Sequence, residues 1–286
     1  ISNYYDDASD AGSYGRLREI LYPDGSWIRY TYDDMGRVRT ETRPWLDSPA
    51  GSPSGESRIF EYDYAPVDPT DAGRRQDARR PRTVTESVLG TVVSKTYHAF
   101  IYDPSGARTE ITEQCAAAEA VYGAPGNLRT VRVYNPSDPS RPGWGRLQSV
   151  RHPDDRMDTY AYAFGTYSPG TTAGSGIFDP GRGDDLRIIR TSGRVDAPEG
   201  IPFNTTRETI IQNQRGLTLM RETAVYTGGG YERTGWTVET HDAFDRVTSV
   251  IRSNGTRTDT EWGCCGRTSE TDAAGLRRVF EYDALK

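Results

Sequence analysis

The sequence predicts an all-β protein: antiparallel β-hairpin repeats forming a long curved or spiralling sheet that carries long loop insertions. Three observations lead there. A hairpin-sized unit occurs more than once, aromatic and polar residues alternate at period two, and turn-forming runs such as Pro23-Asp24-Gly25 separate the alternating stretches.

The unit is clearest at 15–43 and 145–164. Aligned without a gap, Gly15, Arg16, Leu17, Pro23, Asp24, Tyr30 and Tyr32 meet Gly145, Arg146, Leu147, Pro153, Asp154, Tyr160 and Tyr162. Ile28, Tyr30 and Tyr32 share one strand face, as do Tyr160, Tyr162 and Phe164, with polar residues between them. Pro23-Asp24-Gly25 is a turn with a mechanism: proline presets φ, aspartate hydrogen-bonds the local backbone and glycine accepts a positive φ. Between these copies, 44–58, 64–82 and 135–144 are rich in Pro, Gly, Ser and Asp and read as loops, as does 165–202 beyond them. Further copies are expected at 97–112, around Tyr102-Asp103-x-x-Gly106, and at 241–286, where His241-Asp242 replaces Tyr-Asp and Asp245 replaces Gly. Residues 208–212 and 217–226 predict another hairpin around Gln214-Arg215-Gly216. Residues 113–122 give the sole helix expectation, with Thr112 as N-cap and Gly123 as stop.

Tyr32-Asp33-x-x-Gly36-Arg37-Val38, Tyr102-Asp103-x-x-Gly106, the two Gly-Arg-Leu triplets and the closing Tyr282-Asp283-Ala284-Leu285 resemble the YD-repeat (RHS-repeat) family. The resemblance covers roughly half of the chain. It implies a β-sheet spiralling into a hollow shell, as in toxin-complex, polymorphic-toxin and related cell-surface proteins. It further implies a bacterial protein, secreted or on the cell surface, whose partners are other repeats of the same polypeptide and an enclosed toxin domain or surface glycans. No residue matches the self-cleaving core of such shells, so no protease role carries over. Residues 1–7 resemble the tail of a preceding Tyr-x-Tyr-Asp strand and Lys286 falls within a turn, so 1–286 is expected to be a repeat-region fragment of a longer chain.

Composition removes other classes. Tyr 18 and Trp 5 replace scarce aliphatic residues as buriable surface, and a net charge of −6 on 286 residues does not favour disorder. A pI near 5.3 argues against a nucleic-acid binder that works through overall charge. No apolar run is long enough for a membrane-spanning segment. Only Lys95 and Lys286 are lysine among the 35 basic residues, a bias assigned to genome composition.

Few residues offer chemistry. His98, His152 and His241 fall on repeat or strand positions and read as structural, and no catalytic residue is assigned. The pairs Asp6-Asp7, Asp33-Asp34, Asp154-Asp155 and Asp184-Asp185 lack calcium-loop spacing, and Cys115, Cys264 and Cys265 lack zinc spacing, so neither metal nor cofactor is expected. Gly263-Cys264-Cys265-Gly266 reads as a tight loop with reactive thiols as the alternative. Trp45, Trp144 and Trp236, in or beside loops, are the ligand-stacking candidates, while Trp27 and Trp262 are expected in the core. The leading expectation is a non-catalytic wall segment. An adhesin or carbohydrate-binding module using loop Trp and Tyr is the alternative, followed by a carbohydrate-active enzyme with two facing carboxylates.

Overall fold

The computed structural model describes residues 1–6, 12–71, 77–138, 140, 142–169, 176–194 and 205–282. Two compact units divide the chain, Ile1–Pro136 and Ser137–Lys286. Both are all-β and antiparallel.

The first unit is a meander in which each strand pairs with the next: β1 (Ser2–Tyr4), β2 (Leu17–Leu21), β3 (Trp27–Tyr32), β4 (Val38–Pro44), β5 (Ser57–Asp63), β6 (Thr83–Val88), β7 (Thr91–Tyr102), β8 (Arg108–Gln114) and β9 (Leu128–Tyr134). The second unit holds β10 (Leu147–Arg151), β11 (Arg156–Ser168), β12 (Ile177–Pro180), β13 (Asp185–Arg194), β14 (Thr206–Gln212), β15 (Thr218–Tyr226), β16 (Tyr231–His241), β17 (Val247–Arg252), β18 (Arg257–Trp262), β19 (Arg267–Thr271) and β20 (Arg277–Val279). Here β12 and β13 both lie antiparallel on β11, meeting at Gly165, so they form one long partner strand interrupted at 181–184. From β13 onward each strand again pairs with its successor.

Turn chemistry explains why the strands stop where they do. Among the described residues, eight turns share one pattern, starting at Tyr22, Asp33, Asp103, His152, Asn213, Asp242, Arg252 and Asp272. In each, the first residue's N–H donates to the carbonyl four residues on, and the fourth residue's N–H donates back to the first carbonyl. This is a three-residue hairpin loop, with a left-handed residue opening a bulge. Glycine holds the left-handed position at Gly25, Gly36, Gly106, Gly216, Gly255 and Gly275, with φ between 71° and 86°. Where the first residue is Asp or Asn, its side chain locks the loop. Oδ1 of Asp33 accepts from the Met35 and Arg37 N–H groups, and Asp242, Asp272 and Asn213 do the same two and four residues on.

Asp155 and Asp245 occupy the glycine position of two of these turns, at φ 61° and 67°. A side chain there carries a conformational penalty that glycine does not. Asp245→Gly and Asp155→Gly are therefore expected to raise stability by about 0.5–1 kcal/mol each, measured by denaturant unfolding. Gly275→Asp, the reverse change at an equivalent turn, should lower it. A loss of stability in both glycine variants would contradict this account of the turns.

Burial is modest and spread out. Trp27, Ala99, Phe100, Ile111, Val150, Leu186 and Ala224 are among the buried apolar residues. In the second unit Tyr167, Ile211 and Met220 form a core cluster, flanked by Phe178, Leu219 and Val238. Tyr30, Tyr32, Tyr160 and Tyr162 are half-buried rather than exposed to bulk water. Trp27 is in the core as expected, whereas Trp262 is half-buried.

Two expectations are corrected. Residues 113–122 form no helix: Glu113 and Gln114 belong to β8, and turns follow. The reason is the Glu113 carboxylate, which is buried and accepts from the Gly123 N–H and the Asn127 Nδ2, both at 2.6 Å. It folds the following residues into a loop instead of solvating a helix face. Residues 165–202 are not a single loop, since they contain the end of β11 and all of β12 and β13. The β-branched run Ile188-Ile189 pairs with Tyr162 and Ala161, and Gly165 and Gly183 allow the backbones to approach closely at the interruption. Residues 44–58 hold a short 3₁₀ turn at Ser54–Glu56, and 64–82 and 135–144 contain no strand among their described residues.

Candidate functional site

Side chains along the turns build a second repeat that the strand pattern alone does not reveal. The Tyr32 hydroxyl donates to the Leu17 carbonyl and Tyr162 to the Leu147 carbonyl, both at 2.7 Å. Tyr64 donates to Val38 at 2.8 Å and the Trp262 Nε1 to Val247 at 2.7 Å. In every case the accepting residue follows an arginine, and that arginine lies over the donating ring. Arg16 covers Tyr32, Arg37 covers Tyr64, Arg146 covers Tyr162 and Arg246 covers Trp262, with guanidinium carbons 4.1–5.9 Å from the ring centroids. Arg37 and Arg246 also pair with the turn carboxylates Asp33 and Asp242 at 2.6 and 2.7 Å. The Arg246 contact is the main influence holding the Asp242 carboxyl below its ordinary value.

This gives the arginine bias a structural meaning. A planar guanidinium can stack on a ring while its edge binds a carboxylate, and lysine's ammonium cannot. The signal was present in the Gly-Arg-Leu and Gly-Arg-Val triplets, whose arginine has no role in strand alternation.

The long segments between hairpins are fastened by buried polar groups. Trp27, fully buried, donates from Nε1 to the Ser48 carbonyl at 2.9 Å, tying 44–58 to β3. Arg82 and Asp71 form a buried ion pair, with Nε to Oδ2 at 2.5 Å and Nη2 to Oδ1 at 3.1 Å. Arg82 also donates to the Asp77 and Arg80 carbonyls, and Asp71 accepts from the Phe100 N–H of β7. Arg80 and Arg82 both lie over the Phe100 ring. Segment 64–82 is thus anchored to the sheet.

The histidines occupy similar structural settings. His152 Nε2 lies 3.2 Å from Asp158 Oδ2, the same oxygen that accepts from Arg190 at 2.9 Å, while Ser192 donates to Oδ1. Burial acts to raise the Asp158 carboxyl, but the bonds from Ser192, His152 and Arg190 outweigh it and leave the group below its ordinary value. The carboxylate is the hub of this network. Ser192 donates to it rather than to the imidazole, so the three residues do not form a nucleophile activated by a base. His241 reaches towards Glu239 at 3.9 Å, and His98 Nδ1 lies 3.5 Å from the Thr112 hydroxyl.

Burial pushes the His98 imidazole below its ordinary value, and Arg80 and Arg82 push the same way against an opposing Glu110. The folded state therefore favours neutral His98. Stability from this source is fully present above the unfolded value of about 6.5 and is lost as pH falls through the folded value. Between about pH 7.5 and about pH 5 the melting temperature is expected to fall, and to fall less in His98→Gln. An identical pH slope in the two proteins would contradict it.

Two of the three predicted stacking tryptophans are exposed. Trp45 follows β4, and Trp144 sits between Gly143 and Gly145 ahead of β10. Trp144 matches Tyr14 of the first unit: both rings are exposed, and the Arg146 N–H donates to Gly143 as the Arg16 N–H donates to Ser13. The expected loop placement of Trp236 is corrected. It lies within β16, opposite Glu222 of β15, half-buried beside Arg221, Arg252 and Asn254. In sheet order, β11 and β13–β15 lie between β10, which Trp144 precedes, and β16, which holds Trp236.

Several of the paired aspartates accept hydrogen bonds. Asp33 and Asp154 accept from turn N–H groups, Asp184 from Gln214, and Asp185 from the Tyr167 N–H. Among the described residues no group of three or more His, Cys, Asp or Glu side chains is placed to hold a metal ion. Asp7, Asn204 and 283–286, including most of the closing Tyr-Asp motif, lie outside the described residues. Open grooves run beside the strands. One of about 790 Å³ in the second unit includes Arg156, Arg190, Arg207 and Glu208, and one of about 870 Å³ in the first includes Tyr32, Arg37, Tyr62 and Lys95. Both mix charges of each sign. No helix among the described residues is long and apolar enough to cross a membrane.

No protein family and no curated protein sequence matches this chain. Among solved structures, it is similar to the crystal structure of TcdB2-TccC3-TEV, with TM-score 0.18 and 9% identity. The match covers 100% of this chain and 19% of that one. The chain spans about a fifth of the length of the protein it matches.

Proposed function

We propose that this chain is a non-catalytic wall segment of a YD-repeat shell, whose role is to enclose or present another part of a larger secreted or cell-surface bacterial protein. The observation that carries the reading is the recurrence of one unit along the chain. The same three-residue turn occurs eight times among the described residues, and arginine-covered aromatic rings tie strands together through the carbonyl after each arginine. A repeated unit that contacts mainly its neighbours is suited to building extended surface rather than one enclosed reaction site. The polar anchors fit this role, since they press the long segments onto the sheet. Its partners in this reading are other repeats of the same polypeptide and an enclosed domain.

The exposed rings of Trp45 and Trp144 support a second reading, an adhesin that stacks sugars. Binding to immobilised glycans of several classes, with hydrolysis followed in parallel, tests both. The wall reading expects a flat response and no turnover. Saturable binding that is lost in Trp144→Ala or Trp45→Ala would replace it with the adhesin reading.

A further inference from the structure

The β18–β19 hairpin carries a group that a repeat wall does not require. Its loop is Gly263-Cys264-Cys265-Gly266, in which the Gly263 N–H donates to the Gly266 carbonyl at 2.8 Å. Both cysteines are exposed, and their sulfurs lie 2.9 Å apart, close enough for one thiol to donate to the other. The third thiol is different. Cys115 belongs to the first unit, is half-buried, and points its sulfur at the Ala120 carbonyl at 3.4 Å.

We propose that Cys264 and Cys265 form a reversible redox modification site, closing to an intramolecular disulfide under a small-molecule disulfide oxidant such as oxidised glutathione. In the first step one cysteine loses its proton and its thiolate attacks a sulfur of the oxidant. A protein–glutathione disulfide forms, and the oxidant's S–S bond breaks with release of one glutathione thiolate. In the second step the neighbouring cysteine loses its proton and attacks the protein sulfur of the mixed disulfide, releasing the second glutathione thiolate. The protein gives up two electrons and two protons, and the oxidant leaves as two molecules of glutathione.

Geometry favours the second step. The two sulfurs lie 2.9 Å apart before oxidation, close to the roughly 3–3.5 Å of a near-attack arrangement, so ring closure competes well with attack by a thiol from solution. Reversal is built in as well. Adjacent Cα atoms across a trans peptide are about 3.8 Å apart, shorter than the usual span of a disulfide, and a bond closed over that span is strained and easily reduced. Gly263 and Gly266 on either side give the loop freedom to adjust. The loop is also coupled to the stack behind it, because Arg246 donates to the Gly263 carbonyl at 3.0 Å while covering Trp262.

The test is to incubate the reduced chain with oxidised glutathione, then measure intact mass and map peptides without reduction. The wild type should lose two hydrogens, carry the change on the peptide containing Cys264 and Cys265, hold no glutathione, and return to its starting mass in dithiothreitol. Cys264→Ser and Cys265→Ser should each retain a glutathione adduct, since neither has a neighbour to displace it. A stable adduct on the wild type, disulfide-linked dimers, or an unmodified protein would overturn the proposal. So would loss of two hydrogens in either serine variant, which would implicate Cys115.

Discussion

Asp71→Ala is expected to destabilise the protein by about 3–5 kcal/mol, measured as a shift in denaturant midpoint at unchanged slope. The side chains of Asp71 and Arg82 are almost fully excluded from solvent, at 0% and 3% exposure. Removing the carboxylate leaves a buried guanidinium with the Asp77 and Arg80 carbonyls and the Phe100 ring as uncharged partners, and strips the Phe100 N–H of an acceptor. Asp71→Asn should fall between, because it keeps an acceptor for Arg82 and Phe100 while losing the charge. The comparison is Asp259→Ala, which breaks an ion pair with Arg257 whose side chains are 43% and 59% exposed. That pair contributes about 0–1 kcal/mol. If the two alanine variants lose equal stability, segment 64–82 is not anchored as described.

Trp27→Ala should cost a similar amount, about 3–5 kcal/mol, for a different reason. The indole is completely buried, lies under Arg29 at 5.1 Å, and donates to the Ser48 carbonyl. Truncation opens a cavity in β3 and releases 44–58 together. Trp27→Phe separates the two effects: it keeps most of the apolar volume but leaves a carbonyl without its donor, a loss of about 1–3 kcal/mol. Cleavage within 44–58 by a broad-specificity protease should speed up in both variants. Unchanged cleavage in Trp27→Ala would show that 44–58 is held by something else.

The fold was legible where backbone and side chain speak the same language. Alternation at Ile28, Tyr30 and Tyr32 and the Pro23-Asp24-Gly25 turn describe a hairpin that depends on neighbours only a few residues away, and β2–β3 is that hairpin. Even the degenerate turns at His152 and His241-Asp242 keep their geometry, because the left-handed position tolerates aspartate better than most other side chains. Failures came where a distant partner decides. An alanine-rich run after Glu113 looks helical until Glu113 is buried and turned towards Gly123 and Asn127. The strands within 165–202 are set by pairing with β11, and their Gly- and Asp-rich surroundings hide them.

The candidate site was less legible than the fold. Exposed Trp45 and Trp144 agree with their loop contexts, but Trp236 sits in a strand whose boundaries depend on β15. The arginine-covered rings were missed because each pairs residues about fifteen or more positions apart, beyond any local period. The Gly-Arg triplets were visible, yet only the next strand supplies the ring that gives the arginine its role.

Limited proteolysis of the native protein shows whether this sheet encloses or presents another part of its own polypeptide. Native polypeptide would be digested, and fragments from outside residues 1–286 followed by mass spectrometry before and after the sheet is opened with denaturant. An enclosing wall should leave a segment that survives digestion in the native protein and becomes cleavable over the same denaturant range in which the sheet unfolds. Digestion of every outside segment at the same rate with the sheet intact would contradict it, and so would a polypeptide that has no such segment.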